Sequence, residues 1–190
     1  LTAAVRLASY GLRVLVVEAD PYSKTDWRAS TFHCATLEVL EPTGVVPRML
    51  AAGLRAPRYQ VRERRGDRAA VFDFSHLVSE TAYPYRLQLN QQRLVTLLHE
   101  RLKDFPDARV LFDSRVDSLE QDAGGVQAEV ATGSSSQRFR GEFLFGADGA
   151  SSTIRRLVGT TFEGLTYAER FVIVSVAEDL GAMVPGLYYV

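Results

Sequence analysis

Residues 143–156 read FLFGADGASSTIRR. A short apolar run, Phe143-Leu144-Phe145, enters the small-residue turn Gly146-Ala147-Asp148-Gly149. Ser151 or Ser152 then stands where a side-chain oxygen caps a helix, and that helix carries Arg155 and Arg156. The stretch predicts a strand of a buried sheet that delivers Asp148 to the mouth of a turn, followed by a helix that Gly159 ends.

The start of the chain repeats the same kind of α/β logic. Leu1, Ala4, Val5 and Ala8 recur at helical spacing, and Gly11 is placed to stop that helix. Arg13 to Val17 is a β-branched run of the sort found in a buried parallel strand, and it ends at Glu18. Helix, glycine, buried strand and acid form the second half of a dinucleotide-binding βαβ unit. In such a unit the acid accepts hydrogen bonds from an adenosine ribose; the plainer reading of Glu18 is a solvated loop acid. The glycine-rich phosphate loop of such a unit would precede Leu1. With an apolar aromatic run at 187–190, the chain reads as an internal piece of a longer protein.

Between these two stretches lies the rest of one α/β unit. Thr31 to Leu40 predicts a short helix with Leu37 and Leu40 inward, broken near Pro42 and Gly44, and Val46 to Ala52 predicts another. Tyr59 to Phe74 alternates about Gly66-Asp67, which is a hairpin signal. Leu94, Leu97, Leu98 and Leu102 place an amphipathic helix over Gln91 to Lys103. Val110–Phe112, Arg115–Gln121, Val126–Ala131 and Gln137–Arg140 then form a strand series, an antiparallel meander inserted in the α/β unit. Arg170 to Val176 predicts a further strand, in a second domain.

Composition sets limits on function. A formal net charge of −1 gives no basic face for nucleic acid. No apolar run approaches the ~20 residues that span a bilayer. The single cysteine, Cys34, allows no internal disulfide and favours a cytoplasmic location. His33, His76 and His99 are scattered, so neither a catalytic triad nor a metal site is expected.

Four segments, LTAAVRLASYGLRVLVVEAD, RASTFHCATLEVLEPTGV, QQRLVTLL and GADGASSTIRRLVG, occur in the order and spacing of a known family. Through them the chain resembles the class A flavoprotein monooxygenases, the p-hydroxybenzoate-hydroxylase-like aromatic hydroxylases. The last segment looks like that family's Asp-Gly motif, associated with FAD and NAD(P)H binding. The resemblance implies a Rossmann-like FAD-binding domain at 1–58 and 85–160, with 59–84 and 161–190 belonging to a mixed-sheet substrate domain. It implies that Glu18 meets the FAD ribose, Arg28 the pyrophosphate, Gln91 the cofactor at its helix start, and that Val116 lies in the strand near the adenine. Asp148 and Arg155 match the acid and arginine of the Asp-Gly motif; the plainer reading has Asp148 ordering its own turn and Arg155 pairing with a surface acid. Val95 stands where many members carry Glu, and a later Gly-Asp motif of the family is not in this sequence. The implied activity is NAD(P)H- and O2-dependent hydroxylation of a small phenol-like ring, with the redox chemistry supplied by the flavin rather than by a catalytic side chain. Other flavoenzymes on this scaffold, of reductase or halogenase type, and a non-catalytic binding module are the alternatives.

Overall fold

The computed structural model describes residues 1–23, 29–62, 68–170, 172, 174, 176–178 and 187–189. By contact density the chain divides into one unit of residues 1–14, 23–109 and 175–190 and another of residues 15–22 and 110–174.

The first unit opens with helix α1 (Thr2–Ser9), which buries Ala4, Val5 and Ala8. Three small or short side chains on one face let α1 lie close to its neighbours, and Gly11 leaves the helix with φ +78°. Strand β1 (Val14–Val17) follows, and then β2 (Thr31–Phe32). Helix α2 (Cys34–Leu40) buries Leu37 and Leu40, and a 3-10 turn at Glu41–Thr43 ends on Gly44 at φ +77°. Helix α3 (Val46–Ala52) buries Val46 and Met49 and leads into β3 (Leu54–Ala56).

Strands β4 (Arg58–Arg62) and β5 (Arg68–Asp73) pair antiparallel, as the hairpin reading predicts; its turn at Gly66-Asp67 lies outside the described residues. Tyr59 stacks on Phe72 at 4.6 Å between ring centroids, and the Arg86 guanidinium sits 3.8 Å from the centre of the Tyr59 ring. Strand β6 (Arg86–Gln88) runs antiparallel to both β2 and β3, giving a sheet ordered β2-β6-β3. Helix α4 (Gln91–Leu102) is capped by Asn90, whose side-chain oxygen accepts from the Gln92 N–H at 3.0 Å. It buries the four leucines that its periodicity predicts. Leu87, fully buried, joins Phe32, Leu37, Met49 and Leu102 in this unit's core.

Strand β7 (Ala108–Leu111) pairs with β1. The Val14 N–H donates to the Asp107 carbonyl and the Glu18 N–H to the Leu111 carbonyl, so both strands advance together and the pairing is parallel. In the second unit β8 (Ser114–Asp122), β9 (Gly125–Thr132) and β10 (Ser135–Gly141) make an antiparallel meander of three of the four strands expected of it, with Val126, Ala128 and Val130 on its buried face. Helix α5 (Thr153–Leu157) packs on β8. Strand β11 (Leu187–Tyr189), of the first unit, lies parallel to β4 in a sheet ordered β11-β4-β5.

Four expectations change. Thr31 and Phe32 form a strand rather than the start of a helix, because Gln88 and Leu87 offer them ladder partners. β1 is half-buried along its length, not fully buried. Residues 143–149 contain no strand, and Phe143 and Phe145 are 91% and 74% exposed. An apolar run becomes a strand only against a hydrogen-bonding neighbour, and no described strand lies beside this one. The run Val110–Phe112, expected as the first strand of the meander, supplies Val110 and Leu111 to β7, which pairs parallel with β1 instead. The strand expected at 170–176 falls partly outside the described residues.

Gly125 holds φ +130°, and a Cβ there would press into the Gly141 carbonyl oxygen. Gly133, at φ +57°, has open space around it. Gly125→Ala is therefore expected to cost about 3 kcal/mol of unfolding free energy, against about 1 kcal/mol for Gly133→Ala. Urea unfolding of the two variants beside the wild type measures the difference.

Candidate cofactor-binding site

The turn and helix of residues 146–159 are built around one carboxylate. Asp148 accepts a short hydrogen bond from the Ser152 hydroxyl and two more from the backbone N–H groups of Thr153 (2.6 Å) and Ile154 (3.0 Å). These are the first two residues of α5, whose unpaired amides carry partial positive charge. Ser152 in turn caps the helix: its Oγ accepts from the Arg155 N–H at 2.9 Å. Two glycines make the turn possible. Gly149 sits at φ +79°, and a Cβ on Gly146 would fall 2.9 Å from Ile154 Cγ2.

Burial by itself would raise the Asp148 carboxyl, but hydrogen bonds from the Ser152 hydroxyl and from the Ile154 and Thr153 amides outweigh it. They hold the group below its ordinary value of 3.8. Arg155 is also used locally. Its guanidinium donates to the Ala150 carbonyl at 2.8 Å and lies 4.5 Å from the centre of the Phe162 ring. Arg156 reaches back to the Ser151 carbonyl and the Thr153 hydroxyl.

Glu18 follows directly on β1 and is exposed. One carboxylate oxygen accepts from the Asp20 N–H at 3.0 Å, which curls the strand end. Its carbonyl accepts from the Ser114 N–H at 2.9 Å, and the Asp20 carbonyl accepts from the Asp113 N–H at 3.0 Å. The strand end is thus stapled to the start of β8. Val116, two residues further along β8, is half-buried opposite Val130 beside a β-bulge. Glu18, Val116, Asp148 and Arg155 all belong to the second unit.

In the first unit, Gln91 is the first residue of α4, as expected, with an exposed side chain. Its N–H donates to the Ala29 carbonyl at 2.8 Å, and the Leu89 N–H donates to the Ser30 carbonyl at 2.8 Å. The segment that follows Arg28 is therefore zipped to the segment that precedes Gln91. Arg28 itself lies outside the described residues.

Sequence reasoning missed one polar group here. The Gln88 side-chain oxygen accepts from the Thr31 hydroxyl at 3.1 Å, while Gln88 Nε2 is closed to solvent and has no hydrogen-bond partner. A buried amide left unpaired costs about 1–3 kcal/mol. The available signal was the alternation Arg86-Leu87-Gln88-Leu89, which sends the two leucines to one face and Arg86 and Gln88 to the other.

Asp148→Ala removes the acceptor for both helix-start amides and is expected to cost about 1 kcal/mol at neutral pH. Because the folded carboxyl titrates below the unfolded one, its contribution is complete above the unfolded value and is lost as pH falls through the folded one. Thermal melts of wild type and variant are expected to differ at pH 7 and to converge at strongly acid pH.

A model described as "FAD binding domain" matches residues 1–189. Para-nitrophenol 4-monooxygenase of Pseudomonas sp. (strain WBC-3) is 31% identical over 179 residues, 94% of this chain and 44% of its own length. The 6-hydroxy-3-succinoylpyridine 3-monooxygenase HspB of Pseudomonas putida (strain DSM 28022 / S16) is 32% identical over 180 residues, 94% of this chain and 46% of its own length. The crystal structure of p-nitrophenol 4-monooxygenase PnpA from Pseudomonas putida DLL-E4 superposes with a TM-score of 0.84 at 27% identity, covering 87% of this chain and 42% of that one. The chain spans less than half the length of these relatives. Its α/β order with an antiparallel meander is that of a Rossmann-like FAD-binding domain. Matched by that model along nearly its whole length, the chain belongs to the FAD binding domain family.

Proposed function

We propose that the protein to which this sequence belongs is an FAD-dependent monooxygenase that uses NAD(P)H and O2 to hydroxylate a small phenol-like molecule. The observation that carries the reading is the family match over residues 1–189, together with similarity along 94% of the chain to a para-nitrophenol 4-monooxygenase. The balanced reaction replaces a ring C–H with C–OH and consumes O2, NAD(P)H and a proton; it yields NAD(P)+ and water.

Bound FAD supplies the electron transfer and oxygen activation that no protein side chain provides. Within each unit the donors suit it by their chemistry. Glu18 is exposed and has one carboxylate oxygen engaged at Asp20, and a carboxylate has capacity left to accept from ribose hydroxyls. Gln91 offers an exposed carboxamide, and Gln88 holds an amide with an unmatched end. The resemblance assigns Arg28 to the pyrophosphate, and a planar guanidinium is chemically suited to bidentate phosphate contact. Val116 lines the adenine side from β8. Asp148 and Arg155 shape the Asp-Gly turn, and their contribution to cofactor binding runs through that turn.

The domain reading is supported by the β11-β4-β5 sheet, which joins residue 187 onward to the 58–73 hairpin; these are the pieces assigned to the substrate domain. Among the described residues no helix is long and apolar enough to cross a membrane. The lone Cys34 agrees with a cytoplasmic location.

The test uses the full natural chain. It is expected to purify with flavin absorbance, to oxidise NAD(P)H when offered a panel of phenols, and to release a hydroxylated product. A protein that carries no flavin and takes up none defeats the reading. Flavin binding with NAD(P)H oxidation but no oxygen in any product points to a reductase on the same scaffold. Glu18→Ala is expected to weaken FAD binding about tenfold, read by flavin fluorescence titration.

A further inference from the structure

The β2-β6-β3 sheet presents a built row of side chains on the face turned away from its core. Residues directly opposite one another in antiparallel strands share a face. Thr31, Gln88 and Leu54 are in register across the three strands, and so are Phe32, Leu87 and Arg55 in the next row. Phe32 and Leu87 are buried, which turns that row inward on β2 and β6, while Arg55 at its β3 end is exposed. The Thr31–Gln88–Leu54 row lies on the opposite face, with Thr31 and Gln88 half-buried, Gln88 Nε2 closed to solvent and Leu54 exposed. Leu54 is 76% exposed, and the Gln88 carboxamide is held at one end by Thr31 Oγ1 at 3.1 Å with its other end unmatched. Turning the amide over exchanges oxygen and nitrogen and still leaves one end without a partner.

A threonine methyl, an exposed leucine and a half-anchored amide make an apolar strip with one polar point. That chemistry suits a flat ring system with a hydrogen-bonding edge. The location narrows it further. The row lies in the strand pair whose main-chain bonds, Ser30 to Leu89 and Ala29 to Gln91, bring the segment after Arg28 against the segment before Gln91. We propose that Gln88 is a further cofactor-positioning residue: its unmatched carboxamide end bonds a polar atom of the flavin half of FAD, with Thr31 holding the other end and the exposed Leu54 in the same row offering apolar contact. This rests on FAD being the protein's cofactor. The unmatched amide is then a group kept ready for the ligand, and binding completes it.

Gln88→Met in the full natural chain keeps the length of the side chain and removes the amide. Flavin titration of the apoprotein is expected to show FAD bound about tenfold more weakly. ADP, which carries the adenine half alone, is expected to bind as it does to wild type. The apoprotein's melting midpoint is expected to hold or rise, because a buried unmatched amide has gone. Unchanged FAD affinity overturns the proposal, and so does an equal loss for FAD and ADP, which marks a general structural role. If Gln88→Met does not fold, Thr31→Val takes its place, leaving the carboxamide but releasing it. A several-fold weaker FAD complex is then expected, and an unchanged one overturns the assignment. Should wild type bind ADP but no FAD, the cofactor reading itself falls, an outcome distinct from a failure of Gln88 alone.

Discussion

The alternation along β6 is the constraint on which the first unit hangs. Leu87 has no exposed surface and sits beside Phe32, with the leucines of α4 and the apolar faces of α2 and α3 in the same core. A strand has only two faces, so committing Leu87 inward commits Arg86 and Gln88 outward. Arg86 meets this by lying over the Tyr59 ring, and Gln88 by leaning on Thr31. A register slip of one residue would bury the arginine and the glutamine and expose the leucine. The packing of the core and the chemistry of the opposite face are in that sense one decision.

In the second unit the organising groups are carboxylates used by the backbone. Asp148 gathers the amides at the start of α5, and Glu18 accepts from Asp20. Both acids belong to segments that the resemblance associates with FAD, and both make their nearest hydrogen bonds within their own turns. This is how a loop keeps a defined shape before a ligand arrives: the side chain supplies to its own main chain the partners that a helix or sheet would otherwise supply. The family's Asp-Gly motif is thus legible here first as a device of local architecture, with Gly146 and Gly149 allowing the close approach and the left-handed turn.

What the sequence made readable follows from the range of each signal. The four leucines of α4, the cap at Ser152, and the three meander strands are all specified within a few residues, and they appear where the local signals put them. β2 was not readable, because two residues carry no period and Thr31-Phe32 becomes a strand only through Gln88 and Leu87, more than fifty residues away. Phe143 to Phe145 misled for the opposite reason: composition reports a wish for burial, while a strand is defined by its partner. The Gln88–Thr31 pair is of the same long-range kind. Its polar residues look like ordinary strand-face residues until the register is known.

The parallel pairing of β11 with β4 sets an order of events. Tyr59 and Leu187 lie more than a hundred residues apart, with most of the chain between them. Closing a loop of that size has to precede any reward from the ladder, so this strand pair is expected among the last to form. During synthesis the 58–73 hairpin emerges long before its third strand. Until Leu187–Tyr189 arrives, the β4 edge is open to the backbone of any neighbouring chain.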